Sequence, residues 1–284
     1  MNDKIIVVTD STAYIPERAL GGLNIPVIPL WVLWGDERLR DGVDITPTAF
    51  YRRLQESKDF PTTSQPSVGE FMNFFRRIID EHNADAIVGV FVTSKISGTF
   101  SSARAALEQL PELALRIVDS LSTSMGQGFM ALAAARAAAT GKLLDEVVAA
   151  AQEMRDKVHL LFVVDTLEYL HRGGRIGGAK WLMGTALKIK PLLHMIDGTV
   201  EPLVQVRTKR KAIARMLDVI EERLEGKQMA EACVIDANNP SEADDIAERV
   251  KERFGISTVS RTTVSPVIGT HAGPGTVGVA FYAA

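Results

Sequence analysis

Phe60-Pro61-Thr62-Thr63-Ser64-Gln65-Pro66-Ser67 and Thr93-Ser94-Lys95-Ile96-Ser97-Gly98-Thr99 are the two hydroxyl-rich stretches from which the chain is best interpreted. Both are predicted to be loops that run directly into helices, and Ser67 with Glu70 matches the S-x-x-E pattern of a capping box. The first turn of a helix leaves backbone N–H groups unpaired and carries positive dipole, so both stretches suit an anion. Capping is the commoner use of one such stretch. Two of them in one half of the chain favour a ligand site.

Length and composition predict a globular protein of about two domains. The chain has 284 residues, of which 46% are hydrophobic and 24% charged, and both percentages are ordinary for folded proteins. The formal net charge of −3 gives no whole-protein reason to expect nucleic acid or acidic membranes as partners. The single cysteine, Cys233, cannot form an internal disulfide and lies in an apolar run, so we predict a buried packing residue in a reducing compartment.

The N-terminus carries no pattern of a signal peptide. Only four apolar residues follow Met1–Lys4 before the polar Thr9. No stretch of the sequence is long and apolar enough to span a bilayer. We therefore expect a cytoplasmic protein, for which transient membrane contact stays open.

Residues 1–157 are predicted to form an α/β domain with a mostly parallel sheet and helices on both faces. A continuous apolar run at 5–8 and predicted strands at 86–92 and 114–118 alternate with helical patterns, which is typical of such a sheet. Thr46 and Pro47 mark a helix start. Ligands of these sheets bind outside the carboxyl ends of the strands, and three such ends are rich in Ser and Thr, at 9–12, 93–99 and 120–124.

Residues 158–284 are predicted to form a second α/β domain with a mixed sheet. Asp197-Gly198 between two apolar runs is a strong hairpin signal. Helices are expected at 208–224 and at 241–254, the latter with Ser241 as its N-cap. The segment Gly269–Gly278 is predicted to be a Gly-rich turn with His271 beside it.

A basic segment covers residues 171–215. It contains ten Lys or Arg residues against Asp197 and Glu201, a local net charge of +8. The segment is interpreted either as a solvated face or as a docking surface for an anionic partner or phosphate. Trp181 is its only aromatic residue for base stacking, so single-stranded nucleic acid is disfavoured. The glycines at 173, 174, 177 and 178 give Arg172 and Arg175 a backbone that suits close approach to an oxyanion.

The sequence contains no catalytic or cofactor-binding motif in the structural context that such a motif requires. Gly273, Gly275 and Gly278 satisfy G-x-G-x-x-G, but only an apolar strand follows them, whereas a dinucleotide site requires a helix there. The sequence contains no P-loop, no G-x-S-x-G, no H-E-x-x-H and no paired Cys/His spacing. We therefore predict no cofactor, no metal and no catalytic residue.

Seven motifs, in order and spanning essentially the whole chain, resemble those of the DegV family of bacterial fatty-acid-binding proteins. They are Val8-Thr9-Asp10-Ser11-Thr12, Asp41-Gly42-Val43-Asp44-Ile45, Pro61–Ser67, Ile96-Ser97-Gly98-Thr99-Phe100, Asp119-Ser120, Glu168-Tyr169-Leu170 with Gly173-Gly174-Arg175-Ile176, and His271-Ala272-Gly273-Pro274-Gly275. The family includes the substrate-binding subunit of bacterial fatty acid kinase.

The resemblance implies two α/β domains that hold a long-chain, palmitate-like fatty acid. It implies that Thr63 and Ser97 bind the carboxylate, with His271 and Arg175 nearby and Arg207 as a looser match. We add Thr62, Ser64 and Gly98 as supporting residues. The apolar faces of the helices that follow the two hydroxyl-rich stretches are expected to line the tunnel. In the kinase system an ATP-binding partner phosphorylates the carboxylate while the acid stays on this subunit.

Two alternatives remain open from the sequence. The first is a phosphoryl- or acyl-transfer enzyme with Ser97 as nucleophile and His271 as base. The second is a nucleic-acid-binding regulator that uses the basic segment. We favour a protein that binds and presents a fatty acid, because no triad-like set of residues can be assembled from the sequence.

Overall fold

A computed structural model of the chain describes residues 4–184 and 189–284. In its first part the elements are β1 (Ile5–Asp10), α1 (Glu17–Leu20), β2 (Val27–Ile28), β3 (Trp31–Trp34), β4 (Glu37–Arg40), α2 (Pro47–Glu56), β5 (Thr62–Ser64), α3 (Val68–His82), β6 (Ala86–Phe91), α4 (Thr99–Glu108), β7 (Ala114–Asp119), α5 (Ser124–Ala139) and α6 (Leu144–Lys157). The rest comprises β8 (His159–Val163), α7 (Glu168–Arg172), a 3-10 helix (Gly177–Gly184), β9 (Lys190–Ile196), β10 (Thr199–Val206), α8 (Lys209–Leu224), β11 (Met229–Asp236), α9 (Pro240–Phe254), β12 (Ser260–Thr263), α10 (Pro266–Ala272) and β13 (Val277–Ala283).

The first sheet is parallel, as the apolar runs predict. Its strand order is β2-β1-β6-β7, and every pair in it is parallel. All six residues of β6 are buried, since the strand lies inside the sheet with helices on its faces. The carboxyl ends of β1, β6 and β7 therefore meet at one edge, where the three Ser/Thr-rich segments begin.

A second, three-stranded antiparallel sheet was not predicted. Its order is β4-β3-β5, and Thr62, Thr63 and Ser64 pair with Leu33, Val32 and Trp31. The prediction that the first hydroxyl-rich stretch is a loop is therefore wrong for Thr62–Ser64. A three-residue strand gets its hydrogen bonds from a distant partner, so its own composition carries little signal.

The third sheet is mixed and has the order β10-β9-β8-β13-β11-β12. Among its described strand pairs, only β11 and β12 run parallel. The β9–β10 hairpin turns at Asp197 and Gly198, whose φ angles of 47° and 83° are both positive, as the favoured two-residue hairpin turn requires. The last strand, β13, lies inside this sheet between β8 and β11, which explains why the C-terminus is apolar.

Two helix starts differ from the prediction. Helix α9 begins at Pro240 with Asn239 at the N-cap, so the assignment of Ser241 as N-cap is wrong. The segment predicted to be only a Gly-rich turn contains α10, which Ser265 caps through Ile268 N. His271 lies in the last turn of that helix. In contrast, the predicted caps at Thr46 and Ser67 are confirmed.

Helix α5 joins the two halves of the molecule. It contacts β1 and β6 on one side and β8 and β13 on the other, and it is buried over most of its circumference. The rings of Phe129 and Tyr282 pack edge-on at 5.2 Å. The first two sheets come from residues before 120 and the mixed sheet from residues after 158, so the fold is the predicted two-domain α/β type. The division into 1–157 and 158–284 stays a prediction.

Candidate functional site

A cavity lies between the strand ends of the parallel sheet, β5, α10 and the mixed sheet. The empty space inside it, including its opening to solvent, is about 920 Å³. Apolar side chains from both halves of the chain form most of its wall: Leu30, Val92, Ile96, Leu160, Phe162, Leu170, Met195, Val200, Ile235, Val264, Val267, Ile268 and Ala272. The cavity therefore suits a ligand that is apolar over most of its length.

One part of the wall is polar and is formed by residues that the sequence analysis selected. Thr63 from β5 and His271 from α10 line the cavity, and Thr63 Oγ1 is hydrogen-bonded to His271 Nε2 at 2.8 Å. Ser64, Ser97 and Arg175 line it too. The structure thus brings together residues from four separate segments.

The imidazole of His271 is neutral at ordinary pH. Burial lowers its pKa to about 4, and the nearby Arg175 charge contributes to the same shift. Its Nδ1 atom is buried without a hydrogen-bond partner among the described residues. A side chain at position 173 would overlap the imidazole, so glycine is needed there for this close approach. The neutral ring can act as a hydrogen-bond donor or acceptor without adding charge.

Arg175 supplies the only cationic side chain among the described residues of the cavity wall. Its guanidinium donates from Nε to Ile96 O at 3.0 Å and from Nη1 to Gly173 O at 2.6 Å. These bonds join the second hydroxyl-rich stretch to the segment after α7. They use two of the five guanidinium N–H groups, so donors remain for a ligand.

Ser97 lies at the end of the second hydroxyl-rich stretch. Its Oγ is 2.8 Å from Thr99 Oγ1 and accepts a bond from Thr99 N at 3.3 Å. A Cβ atom placed on Gly98 would lie 3.0 Å from Gln65 Nε2. The two hydroxyl-rich stretches therefore lie against each other beside the cavity.

Three of the predicted site residues do not line the cavity. Thr62 is exposed, and Gly98 is the N-cap residue of α4 behind Ser97. Arg207 is exposed and follows the last residue of β10. Val200, at the other end of that strand, does line the cavity, so Arg207 lies roughly 20 Å along the strand from it.

The expected tunnel lining is also corrected. The apolar face of α3, with Phe71, Phe74 and Phe75, packs with Ala103 and Ala106 of α4 in a separate core against the parallel sheet. Among the described residues of α3 and α4, none lines the cavity. Amphipathic spacing predicts that a helix face is buried, but not which element covers it.

Much of the basic segment is paired with acids. Its ion pairs join Arg172 to Glu168, Lys190 to Asp165, Lys209 to Asp165 and Glu242, and Arg215 to Glu222. The Lys209 side chain is only 16% exposed and also bonds Gly275 O, so it is not available for docking. Lys188, one of the ten basic residues of the segment, lies outside the described residues.

Sequence reasoning did not select five polar residues of the cavity wall: Thr12, Gln65, Thr123, Ser124 and Thr276. Thr12, Thr123 and Ser124 line it from the strand ends of β1 and β7. The signal was present, because both ends are rich in hydroxyl side chains.

Within the described ranges, no helix is long and apolar enough to cross a membrane.

The fold and the site define a two-domain α/β protein with an apolar cavity between its halves and a hydroxyl-, imidazole- and guanidinium-bearing patch in the cavity wall. A family profile described as "Uncharacterised protein, DegV family" matches residues 4–284. The chain belongs to the DegV family.

Known relatives agree with this assignment over whole chains. A DegV domain-containing protein of Streptomyces coelicolor is 40% identical over 280 residues, which covers 98% of each chain. The solved structure of a DegV family protein from Thermus thermophilus, described as showing fatty acid binding, is 33% identical with a TM-score of 0.91, covering 99% of this chain and 100% of that one. A stearic-acid-binding protein from Eubacterium ventriosum is 25% identical with a TM-score of 0.85, covering 98% and 97%.

Proposed function

We propose that this protein binds a long-chain fatty acid of the palmitate type, with the acyl chain in the cavity and the carboxylate at Thr63, Ser97, Arg175 and His271. The observation that carries the proposal is the Thr63–His271 hydrogen bond beside Arg175 in the wall of a mostly apolar cavity. The relatives described as fatty-acid-binding support it.

Burial of the acyl chain supplies the driving force. Each CH₂ removed from water gains roughly 0.8 kcal/mol, so a C16 chain gains on the order of 10 kcal/mol before the entropy cost of association. Leu160, Phe162 and Val264 are among the side chains that offer apolar surface for it.

The carboxylate needs hydrogen bonds and a cation when it leaves water. When His271 Nε2–H donates to Thr63 Oγ1, the hydroxyl proton of Thr63 is available to the carboxylate, as is that of Ser97. Arg175 has free N–H groups beside them. Neutral His271 then orients the Thr63 hydroxyl without adding a charge that would have to be desolvated. A cation near a carboxylate also favours the ionised form of the acid.

We propose that the protein binds and presents its ligand and is not itself a catalyst. The alternative enzyme would need Ser97 activated by His271. In the described structure the Ser97 hydroxyl bonds Thr99, and His271 Nε2 bonds Thr63. That arrangement supports a binding role more than a nucleophile–base pair.

We further propose an ATP-binding fatty acid kinase subunit as partner, in the cytoplasm. This step rests on the family resemblance alone. The exposed Arg207, Arg210 and Lys211 have no ion pair among the described residues and are our candidates for docking.

Mass spectrometry of organic extracts tests the proposed ligand. We expect the purified protein to release C16–C18 fatty acids in near-equimolar amount. Extracts free of fatty acid, together with no binding of added palmitate to delipidated protein, would contradict the proposal. Turnover of acyl esters or of ATP by the pure protein would favour the enzyme alternative instead.

A further inference from the structure

The cavity wall contains a second polar patch at the start of α5. It is formed by Thr123, the N-cap residue of α5, and by Ser124, the first residue of the helix. Their exposures are 8% and 5%, and both side chains line the cavity. Both come from the β7–α5 connection, and neither hydroxyl is hydrogen-bonded to Thr63, Ser97, Arg175 or His271.

Both hydroxyls lack a hydrogen-bond partner among the described residues. An N-cap threonine ordinarily accepts a bond from its own helix, but Thr123 makes no such bond. A buried hydroxyl without a partner costs about 1–3 kcal/mol, and folded proteins rarely leave one unpaired. Two neighbouring unpaired hydroxyls in the wall of a ligand cavity therefore indicate a partner that enters the cavity.

The other hydroxyls of the wall show the contrast. Thr12, Thr63, Ser64, Ser97 and Thr276 each have a hydrogen bond within the protein. Of the seven Ser and Thr side chains in the described cavity wall, only Thr123 and Ser124 are left without one. The unpaired hydroxyls are thus concentrated at one place and are not a general property of the wall.

The charges around this patch select a neutral partner. Arg175, the only cation in the described part of the wall, is bonded to Ile96 O and Gly173 O at the other polar group. A second anionic group would therefore have no cation of its own in the described part of the wall, which is costly in an apolar site.

We propose that Thr123 and Ser124 form a second polar subsite that binds a neutral oxygen substituent on the acyl chain, so that the ligand class includes long-chain hydroxy acids. A hydroxyl on the chain can donate to one side chain and accept from the other. The inference rests on the proposed fatty acid function and specifies its substrate class.

The test is a titration of delipidated full-length protein with stearate and with a series of monohydroxystearates that differ in the position of the hydroxyl. We expect one narrow range of positions to bind as tightly as stearate or up to roughly tenfold tighter, since a net hydrogen bond contributes about 0.5–1.5 kcal/mol. Hydroxyls at other positions should weaken binding by roughly tenfold or more, because they are buried unpaired.

Variants then assign the preference to the subsite. The double variant Thr123→Val with Ser124→Ala should lose roughly tenfold in affinity for the preferred hydroxy acid and keep its affinity for stearate. The exposed Ser241→Ala is the matched control and should change neither. If the double variant fails to fold, Thr123→Val alone and the positional series on the unaltered protein still decide the question.

The outcomes separate the two proposals. If stearate binds but every hydroxystearate binds at least roughly tenfold more weakly, or if the double variant keeps the preference, the subsite is wrong and ordered water satisfies these hydroxyls. If neither stearate nor any hydroxy acid binds, the proposed fatty acid function itself fails.

Discussion

Thr63 Oγ1 lies 2.8 Å from His271 Nε2, although 208 residues separate them in the chain. The contact requires β5 to pair with β3 and α10 to pack against both elements. It joins the hydroxyl-rich stretch of the first half to the last helix of the second half, and it forms the polar wall of the cavity.

Removing either carboxylate-binding hydroxyl should weaken fatty acid binding without unfolding the protein. Thr63→Ala and Ser97→Ala should each cost roughly 1–3 kcal/mol of binding free energy, because a partner of a buried charged group is lost. Palmitate titrations and melting curves of the same preparations measure the two effects separately.

The capping hypothesis has its own control in Ser67→Ala. Ser67 caps α3 and does not line the cavity, so this variant should lose about 0.5–2 kcal/mol of stability and keep its affinity. If Thr63→Ala and Ser97→Ala behave like Ser67→Ala, these residues are structural and the site assignment fails.

Acidification should cost stability through His271. Its pKa is about 4 in the folded protein and about 6.5 in the unfolded chain. The unfolded state therefore binds more protons between these values, and stability rises with pH across that window. Relative to His271→Gln, the unaltered protein should lose stability when the pH falls from about 7 to about 4.5. Urea unfolding of both proteins at about pH 7 and about pH 4.5 measures their free energies of unfolding. A stability difference between the two proteins that is the same at both pH values would refute the prediction.

Asp41 should give the stability of the protein the opposite dependence on pH. The carboxyl is buried, with Ser11 as a hydrogen-bond donor, and burial raises its pKa to about 7. The folded state then binds the extra proton between about pH 4 and 7, so its stability falls as the pH rises through that window. Asp41→Asn removes this dependence, and its stability relative to the unaltered protein should increase from about pH 5 to about pH 8. A constant or falling difference in chemical unfolding would show that Asp41 is ionised in the fold.

Arg175 and Arg207 should separate binding from phosphoryl transfer. Arg175→Ala should weaken palmitate binding, because it removes the only cation of the described cavity wall. At saturating palmitate it should still lose most phosphorylation with a cognate kinase subunit and ATP, since positioned arginines stabilise the charge of a transferring phosphoryl group. Arg207→Glu should weaken docking, most at low salt, where screening is least. Phosphorylation rates at saturating partner measure the first effect and a salt series the second. An unchanged rate for Arg175→Ala at saturating partner would rule out its role in phosphoryl transfer. Partner affinity of Arg207→Glu equal to that of the unaltered protein at every salt concentration would rule out its role in docking.

Local signals were sufficient for much of the fold. Thr46-Pro47, the Ser67–Glu70 capping box and the Asp197-Gly198 turn act within a few residues, and all three have the predicted structure. Strand β5 and helix α10 were missed because their stability comes from distant partners. The Ser265-Pro266 start of α10 was a usable signal that the neighbouring glycines obscured.

Chemistry selected side chains that line the cavity, but the sequence did not predict the geometry around them. The hydroxyl-rich stretches and the family resemblance were enough to select Thr63, Ser97, Arg175 and His271, and all four line the cavity. The apolar periodicity of α3 and α4 did not predict that these helices pack against each other. The charge pattern did not predict that Lys209 pairs with Glu242, 33 residues further along the chain. Both features depend on which surfaces meet, and a single sequence does not encode that locally.

Native mass spectrometry of the protein as purified, and again after delipidation and addition of one equivalent of palmitate, tests the central claim most directly. The account predicts a bound mass of one C16–C18 fatty acid per chain in the first spectrum. It predicts a stoichiometric palmitate complex in the second spectrum. In a separate melting experiment, free palmitate at a hundredfold over its dissociation constant should raise the stability by about 2.7 kcal/mol. Apo mass alone in several preparations, with no palmitate complex and no rise in melting temperature, would contradict it.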